Sequence, residues 1–138
     1  MSRIHVVRSE VLSNRRLGAG IWRLSLRAPA LARSIRCGQF VNLLPGEGLD
    51  PLLPRPFSLF RRDGGVLEFL VQVAGKGTAI LSRLRAGDSL ACTGPLGNGF
   101  RVPRRKGLRH IMVAGGIGVA PFHELGRSLP AGDKILLY

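Results

Sequence analysis

The sequence predicts a mainly β fold, a six-stranded antiparallel barrel with one short helix, followed by the truncated start (βαβ) of a doubly wound α/β unit. Three observations carry that expectation. Six short apolar or alternating runs are separated by Gly, Pro and Asp turn signals; one helical stripe interrupts them before the last run; and the texture changes after Arg109 to apolar run, glycine turn, helical pattern and second apolar run. The boundary between the two parts is placed at residues 103 and 104, giving units 1–103 and 104–138.

Ile4 to Val11 and Ile21 to Ala28 read as a hairpin turned by Gly18-Ala19-Gly20. Gln39 to Leu44 is a third strand, ended by Pro45-Gly46. Pro56 to Phe60 is the fourth, bounded by Asp63-Gly64-Gly65, with Val66 to Val73 the fifth and Asp88 to Thr93 the sixth. Between the last two, Thr78 to Arg85 puts Ile80, Leu81 and Leu84 on one helical face, with Gly87 as its C-terminal stop. His110 to Ala114 is then a buried-type strand, Gly115-Gly116-Ile117-Gly118 a tight turn, Val119 to Leu129 a helix, and Lys134 to Tyr138 a second strand. One βαβ unit has too few strands to cover a parallel sheet, so this second unit reads as cut off.

A chain of 138 residues can bury one real core. Its 45% hydrophobic content and mean hydropathy of +0.16 exclude disorder, and no apolar run approaches the roughly 20 residues of a membrane helix. Met1 to Val11 lacks the apolar stretch of an export signal, so the expectation is a cytoplasmic protein without a membrane partner. Cys37 and Cys92 stand in no metal-ligand or disulfide spacing. The net charge of +13 brings nucleic acid into consideration. The arginines are scattered, however, with only Arg104-Arg105-Lys106 approaching a cluster, and aromatics are few, so nucleic acid is not the expected partner.

Two segments point to phosphate chemistry. Arg55 stands between Pro54 and Pro56, which stiffen the backbone and aim the side chain, and a forked guanidinium suits a phosphate or pyrophosphate. Taken alone, Arg55 reads as a surface charge and Phe57 as a core residue. Gly75-Lys76-Gly77-Thr78 follows an apolar strand and opens a helix, where free amides and the positive end of the dipole converge on an anion; Thr78 is equally a plain cap. Order and separation of the two segments favour a joint site. No Ser/His/Asp arrangement, paired carboxylates or metal cluster accompanies them, and His5, His110 and His123 are isolated.

Arg55-Pro56-Phe57-Ser58 and Gly75-Lys76-Gly77-Thr78 resemble the flavin-binding domain of the ferredoxin reductase superfamily. Gly94-Pro95-Leu96-Gly97-Asn98-Gly99-Phe100, Gly38-Gln39-Phe40-Val41 and Val113 to Pro121 are similar to the electron-transfer subunits of class B dihydroorotate dehydrogenases. The resemblance implies FAD as cofactor, with Arg55 and Pro56 at the pyrophosphate, Phe57 beside the flavin and Ser58 near the ring nitrogen that takes the hydride. It further implies that Leu70, Val71 and Gln72 line the flavin edge through backbone groups, and that Gly77 and Thr78 bind phosphate. Gly115, Gly116 and Gly118 would lie at an NAD(H) crevice, although their G-G-x-G pattern also fits a bare strand-to-helix turn. No residue takes an acid or base role, because hydride acceptance and one-electron release belong to the flavin.

The family's activity is electron transfer between NAD(H) and an FMN-containing dihydroorotate dehydrogenase catalytic subunit, within a hetero-oligomer serving pyrimidine synthesis. Its members use an iron-sulfur cluster held by four C-terminal cysteines, and those cysteines are absent from this sequence. The alternatives are another ferredoxin or NAD(P)H reductase subunit, and a non-catalytic basic barrel that binds nucleic acid or a partner protein.

Overall fold

The computed structural model describes residues 3–46, 48, 50–103, 107–130 and 134–137; the basic run Arg104-Arg105-Lys106 lies outside them. Among the described residues seven strands form one sheet: β1 (His5–Gly18), β2 (Ile21–Arg27), β3 (Phe40–Leu44), β4 (Arg55–Ser58), β5 (Arg61–Asp63), β6 (Val66–Gln72) and β7 (Ser89–Leu96). Their order is β4-β3-β7-β1-β2-β6-β5, and every pairing is antiparallel.

The two edge strands of that order, β4 and β5, are consecutive in sequence, so the sheet has to curl on itself. Leu59 and Phe60 make the closure: Leu59 N–H donates to Gln39 O at 3.1 Å on one side, and Phe60 N–H donates to Glu68 O at 3.0 Å on the other. The predicted fourth strand thus ends at Ser58 rather than Phe60, and an unforeseen strand at Arg61–Asp63 brings the sheet to seven, correcting the count of six. Pro56 is compatible with its place because β4 pairs only with β3, leaving its other edge without a ladder.

β1 runs to Gly18 rather than Val11. It pairs with β7 from His5 to Glu10, then with β2 from Glu10 to Gly18, shifting register between Val11 and Ser13. Asn14 justifies the polar stretch: its side-chain amide donates to Leu81 O at 2.9 Å and Leu84 O at 3.0 Å, satisfying carbonyls at the end of a helix packed beneath.

Two helices, not one, belong to the barrel. α1 (Pro29–Ser34) starts with proline at a position where the missing N–H costs nothing, and buries Leu31 and Ala32. α2 (Lys76–Arg83) begins two residues before the predicted start and ends two before the predicted end. Gly87 is therefore not its stop; with φ +93° it shapes the turn into β7, and its N–H donates to Val11 O. The interior is filled by Val11, Leu24, Leu26, Leu31, Leu67 and Phe69, among others, each no more than 1% exposed.

The glycine-rich segment after β7 locks to the start of β3. Gln39, 6% exposed, accepts from Arg36 N–H and donates to Gly97 O, each at 2.9 Å. Gly97 (φ +72°) lies against the Phe40 ring, and Gly38 (φ +86°) against Phe100, so close that a Cβ at either would sit at 2.9 Å or less from its neighbour. The motifs around Gly38 and Gly97 thus specify one another through packing.

Beyond the barrel, β8 (His110–Val113) pairs in parallel with β9 (Lys134–Leu137), with a 3₁₀ turn at Gly116–Val119 and α3 (Ala120–Ser128) between them. This is the expected βαβ unit, with a helix shorter than foreseen. α3 rests on β5: His123 stacks on Phe60 with ring centroids 4.4 Å apart, and Arg127 donates to Arg62 O at 3.1 Å. No helix among the described residues is long and apolar enough to cross a membrane.

Candidate functional site

β4 alternates half-buried and exposed positions, which fixes what each side chain can do. Phe57 packs against the core cluster, Pro56 and Ser58 are exposed, and Arg55 is half-buried. The Arg55 guanidinium donates from Nη1 to Leu53 O at 2.7 Å, so the side chain is held while its remaining donors are left for another acceptor.

Its stem lies on Gly77. A Cβ added at Gly77 would stand 3.1 Å from Arg55 Nε, 3.3 Å from Pro45 Cγ and 3.5 Å from Arg55 Cγ. Only a residue without a side chain lets the arginine cross the first turn of α2 this closely. The strand carrying the guanidinium and the amino end of α2 are therefore brought together, as the sequence order anticipates.

At that helix end Ala79 N–H makes the first intrahelical bond, to Gly75 O at 2.9 Å, so the amides of Lys76, Gly77 and Thr78 precede the helical ladder. Thr78 is neither the first helical residue nor its cap, as the sequence reading had it. It stands in the first turn with Oγ1 accepting from Ala74 N–H at 2.9 Å and Gly75 N–H at 3.1 Å and donating to Gly75 O. Thr78 shapes the loop with its hydroxyl, and its amide precedes the first intrahelical bond. Lys76 pairs with Asp50 across the mouth.

Leu70, Val71 and Gln72 occupy the far half of β6. Val71 is 1% exposed, so any ligand meets its backbone and not its side chain. β5 pairs with β6 only between Val66 and Glu68, and β4 lies beside the remainder without pairing to it. Glu68 O points toward β5 and Val73 N–H points to Gly20 O in the β1–β2 turn. Alternation along the strand therefore turns the backbone groups of Leu70 and Gln72 to the unpaired edge beside β4. A slot with Arg55, free amides and an unpaired strand edge can take a planar, hydrogen-bonding molecule carrying a diphosphate.

Gly115, Gly116 and Gly118 follow the carboxyl end of β8, which belongs to a different sheet from the strands of this slot. Gly116 has φ +53°, which suits glycine, whereas a Cβ at Gly115 or Gly118 would meet nothing within 4 Å. A separate open groove of about 600 Å³ includes Arg36, Gln39, Leu96 and Asn98 and none of the sequence-predicted site residues. Of the groups that line it, the Gln39 side chain, the Arg36 backbone N–H and the Gly97 carbonyl are engaged in the Gln39 lock. The sequence reading missed Gln39, Asn14 and the Phe60–His123 stack; only a buried-type polar residue in an apolar run, as at Gln39, could have signalled one of them.

Both cysteines are free thiols: Cys37 is half-buried and Cys92 is in the core, its thiol pushed up to about 11 by burial. Among the described residues no group of three or more His, Cys, Asp or Glu comes together.

No family model matches the chain. It is 43% identical over 120 residues to the dihydroorotate dehydrogenase B (NAD(+)) electron transfer subunit of Clostridium acetobutylicum, covering 87% of this chain and 47% of that protein. To the subunit of the same name from Desulforamulus reducens it is 42% identical over 123 residues, covering 88% and 47%. The chain thus spans about half the length of the curated relatives it matches. Among solved structures it is similar to an NADH-dependent reduced ferredoxin-NADP oxidoreductase, with TM-score 0.80 and 23% identity over 93% of this chain and 46% of that one. A cytochrome P450 reductase from Amycolatopsis gives TM-score 0.79 and 26% identity over 99% of this chain and 43% of that one.

Proposed function

We propose that this chain, a homologue of dihydroorotate dehydrogenase B electron transfer subunits over about half of their length, is the FAD-binding part of such a cytoplasmic subunit. Its fold is ferredoxin reductase-like. In the whole protein the flavin stands between NAD(H) and an FMN-containing catalytic subunit, in a hetero-oligomer serving pyrimidine synthesis, with the iron-sulfur cluster carried outside these residues.

The observation that carries the reading is Arg55 lying across Gly77 at the opening of α2. FAD, when bound, supplies the redox chemistry by accepting a hydride and releasing single electrons. The chain's residues bind and orient. Arg55 and the Lys76, Gly77 and Thr78 amides hold the diphosphate, while Pro56 stiffens the strand that aims the guanidinium. Phe57 supports the ring, Ser58 offers its exposed hydroxyl at the ring's reactive edge, and the Leu70, Val71 and Gln72 backbone forms the other wall. Gly115, Gly116 and Gly118 keep the end of β8 open for the nicotinamide nucleotide. None of the three glycines has a described neighbour that a Cβ would meet within 4 Å, which supports close approach of an external group.

Arg55→Ala tests this reading. Loss of a charge-assisted phosphate contact worth about 1.5–3 kcal/mol weakens FAD binding roughly ten- to a hundredfold. Arg55→Lys, which keeps the charge and loses the fork, falls between. An FAD titration unchanged in Arg55→Ala, or an unsubstituted chain that takes up no FAD on reconstitution, refutes the proposal.

A further inference from the structure

The β1–β2 hairpin carries a charge arrangement that the flavin reading leaves unused. Arg15 stands directly opposite Arg23 in the register, and Arg16 opposite Trp22. Facing residues on an antiparallel pair have Cβ atoms only about 4.5–5.5 Å apart, so like charges there repel. None of the three arginines has a hydrogen-bond or ion-pair partner among the described residues. The described carboxylates are committed elsewhere: Glu10 to Arg27, Asp50 to Lys76, Asp63 to Arg61, Glu68 to Ser25, Asp88 to the Arg85 amide, and Glu124 to Arg62 and Arg127.

Position adds a second observation. The turn at the end of this hairpin is tied to the segment leading into α2, through Val73 N–H donating to Gly20 O. Arg23 neighbours Leu70, and Ile21 neighbours Gln72, on the strand that walls the candidate flavin slot. Leu17, 48% exposed, lies beside the arginines near the turn.

We infer that the β1–β2 hairpin is a docking arm for an acidic surface on the protein that exchanges electrons with the flavin, with Arg15, Arg16 and Arg23 as cationic contacts and Leu17 as apolar anchor. The inference rests on the flavin reading for the identity of that partner, while the charge arrangement stands without it. An external carboxylate cluster relieves a repulsion that no described residue relieves, and steers encounter toward the hairpin, which adjoins the strand proposed to wall the flavin. Arginine flanked by an apolar side chain fits a protein interface. Three arginines on one two-stranded arm fall short of the six to ten phosphate contacts by which proteins typically track duplex DNA.

The test uses the whole chain reconstituted with FAD and, as probe, the dihydroorotate dehydrogenase catalytic subunit of the same organism, with association followed by surface plasmon resonance between about 50 and 300 mM salt. The unsubstituted chain is expected to associate at a rate that falls steeply with salt. Arg15→Glu and the double variant Arg15→Glu/Arg16→Glu should associate at least about tenfold more slowly at low salt, with a flattened salt dependence. Arg15→Glu should melt no lower than the unsubstituted chain, because the new carboxylate faces Arg23; that melt separates a lost contact from a lost fold. Equal rates and salt slopes in all three proteins overturn the inference. So does an unsubstituted chain that does not associate, or one that binds a 20-base-pair DNA duplex more tightly than the catalytic subunit at the same salt. FAD titration of the same samples reports on the flavin reading alone, since none of the substituted residues belongs to the slot.

Discussion

Gly77 offers the sharpest separation of site from scaffold. It lies in the first turn of α2 with ordinary helical geometry, so alanine there improves helix propensity by up to about 1 kcal/mol, and the fold has little to lose. The added Cβ nevertheless meets Arg55 Nε at 3.1 Å and the Pro45 ring at 3.3 Å. Arg55 cannot simply swing aside, because Nη1 is held on Leu53 O at 2.7 Å. Either that bond breaks or the guanidinium shifts by a few tenths of an ångström, and one charge-assisted contact to the diphosphate is lost or lengthened. At about 1.5–3 kcal/mol for such a contact, FAD affinity falls by up to about a hundredfold in Gly77→Val, and by less in Gly77→Ala. Fluorescence titration of FAD, paired with a thermal melt of the apoprotein, reads the two effects separately. If Gly77→Val binds FAD within twofold of the unsubstituted chain while melting normally, the diphosphate is not held where Arg55 and α2 meet.

Asn14→Ala removes the side-chain donor of two carbonyls at the end of α2 and should cost about 1–3 kcal/mol in chemical denaturation, since Leu81 O keeps only the long 3.3 Å bond from Leu84 N–H and Leu84 O loses its side-chain partner. Leu59→Ala, at the closure and 1% exposed, should lower stability by about 2–5 kcal/mol, a fall in melting temperature on the order of ten degrees. Burial raises the Cys92 thiol from 9.0 to about 11, so the folded state favours the protonated form; that contribution is complete below pH 9 and is lost as the pH climbs toward 11, readable as a falling denaturation midpoint. Burial, then Arg127 and Arg61, hold His123 below its ordinary 6.5 against the opposing pull of Glu124 and Glu68. The neutral ring is the folded form, so its contribution is present above pH 6.5 and fades on acidification. Hydrogen exchange at α3 should accelerate there, and a His123→Phe variant should not show that step.

The main lines of the fold were legible because each rests on local chemistry. Alternating apolar positions, the turns at Gly18–Gly20 and Gly64–Gly65, and the continuously apolar β8 fixed strands before any pairing was known. Arg55 between prolines and the Gly75–Thr78 helix opening stood out by residue type alone, and the structure brings those two segments together. Two features were not legible, each decided by partners distant in sequence. Seven strands replaced six because Leu59 and Phe60 bond to Gln39 and Glu68 on opposite sides of the closure, and a periodic pattern cannot say where a strand changes neighbours. The polar reach of β1 past Val11 carries no alternation; it is strand because it pairs with β2, and Asn14 within it caps carbonyls at the end of α2.

By itself, then, the sequence determined an antiparallel barrel with a stiffened arginine, a glycine-opened helix and a following βαβ unit, since propensity, turn chemistry and spacing act within a few residues. Only the tertiary structure decided that Arg55 crosses Gly77, that Leu70 and Gln72 face an unpaired edge, and that Arg15 confronts Arg23. Those are matters of close packing and strand register, in which an atom's nearest neighbours come from elements far along the chain.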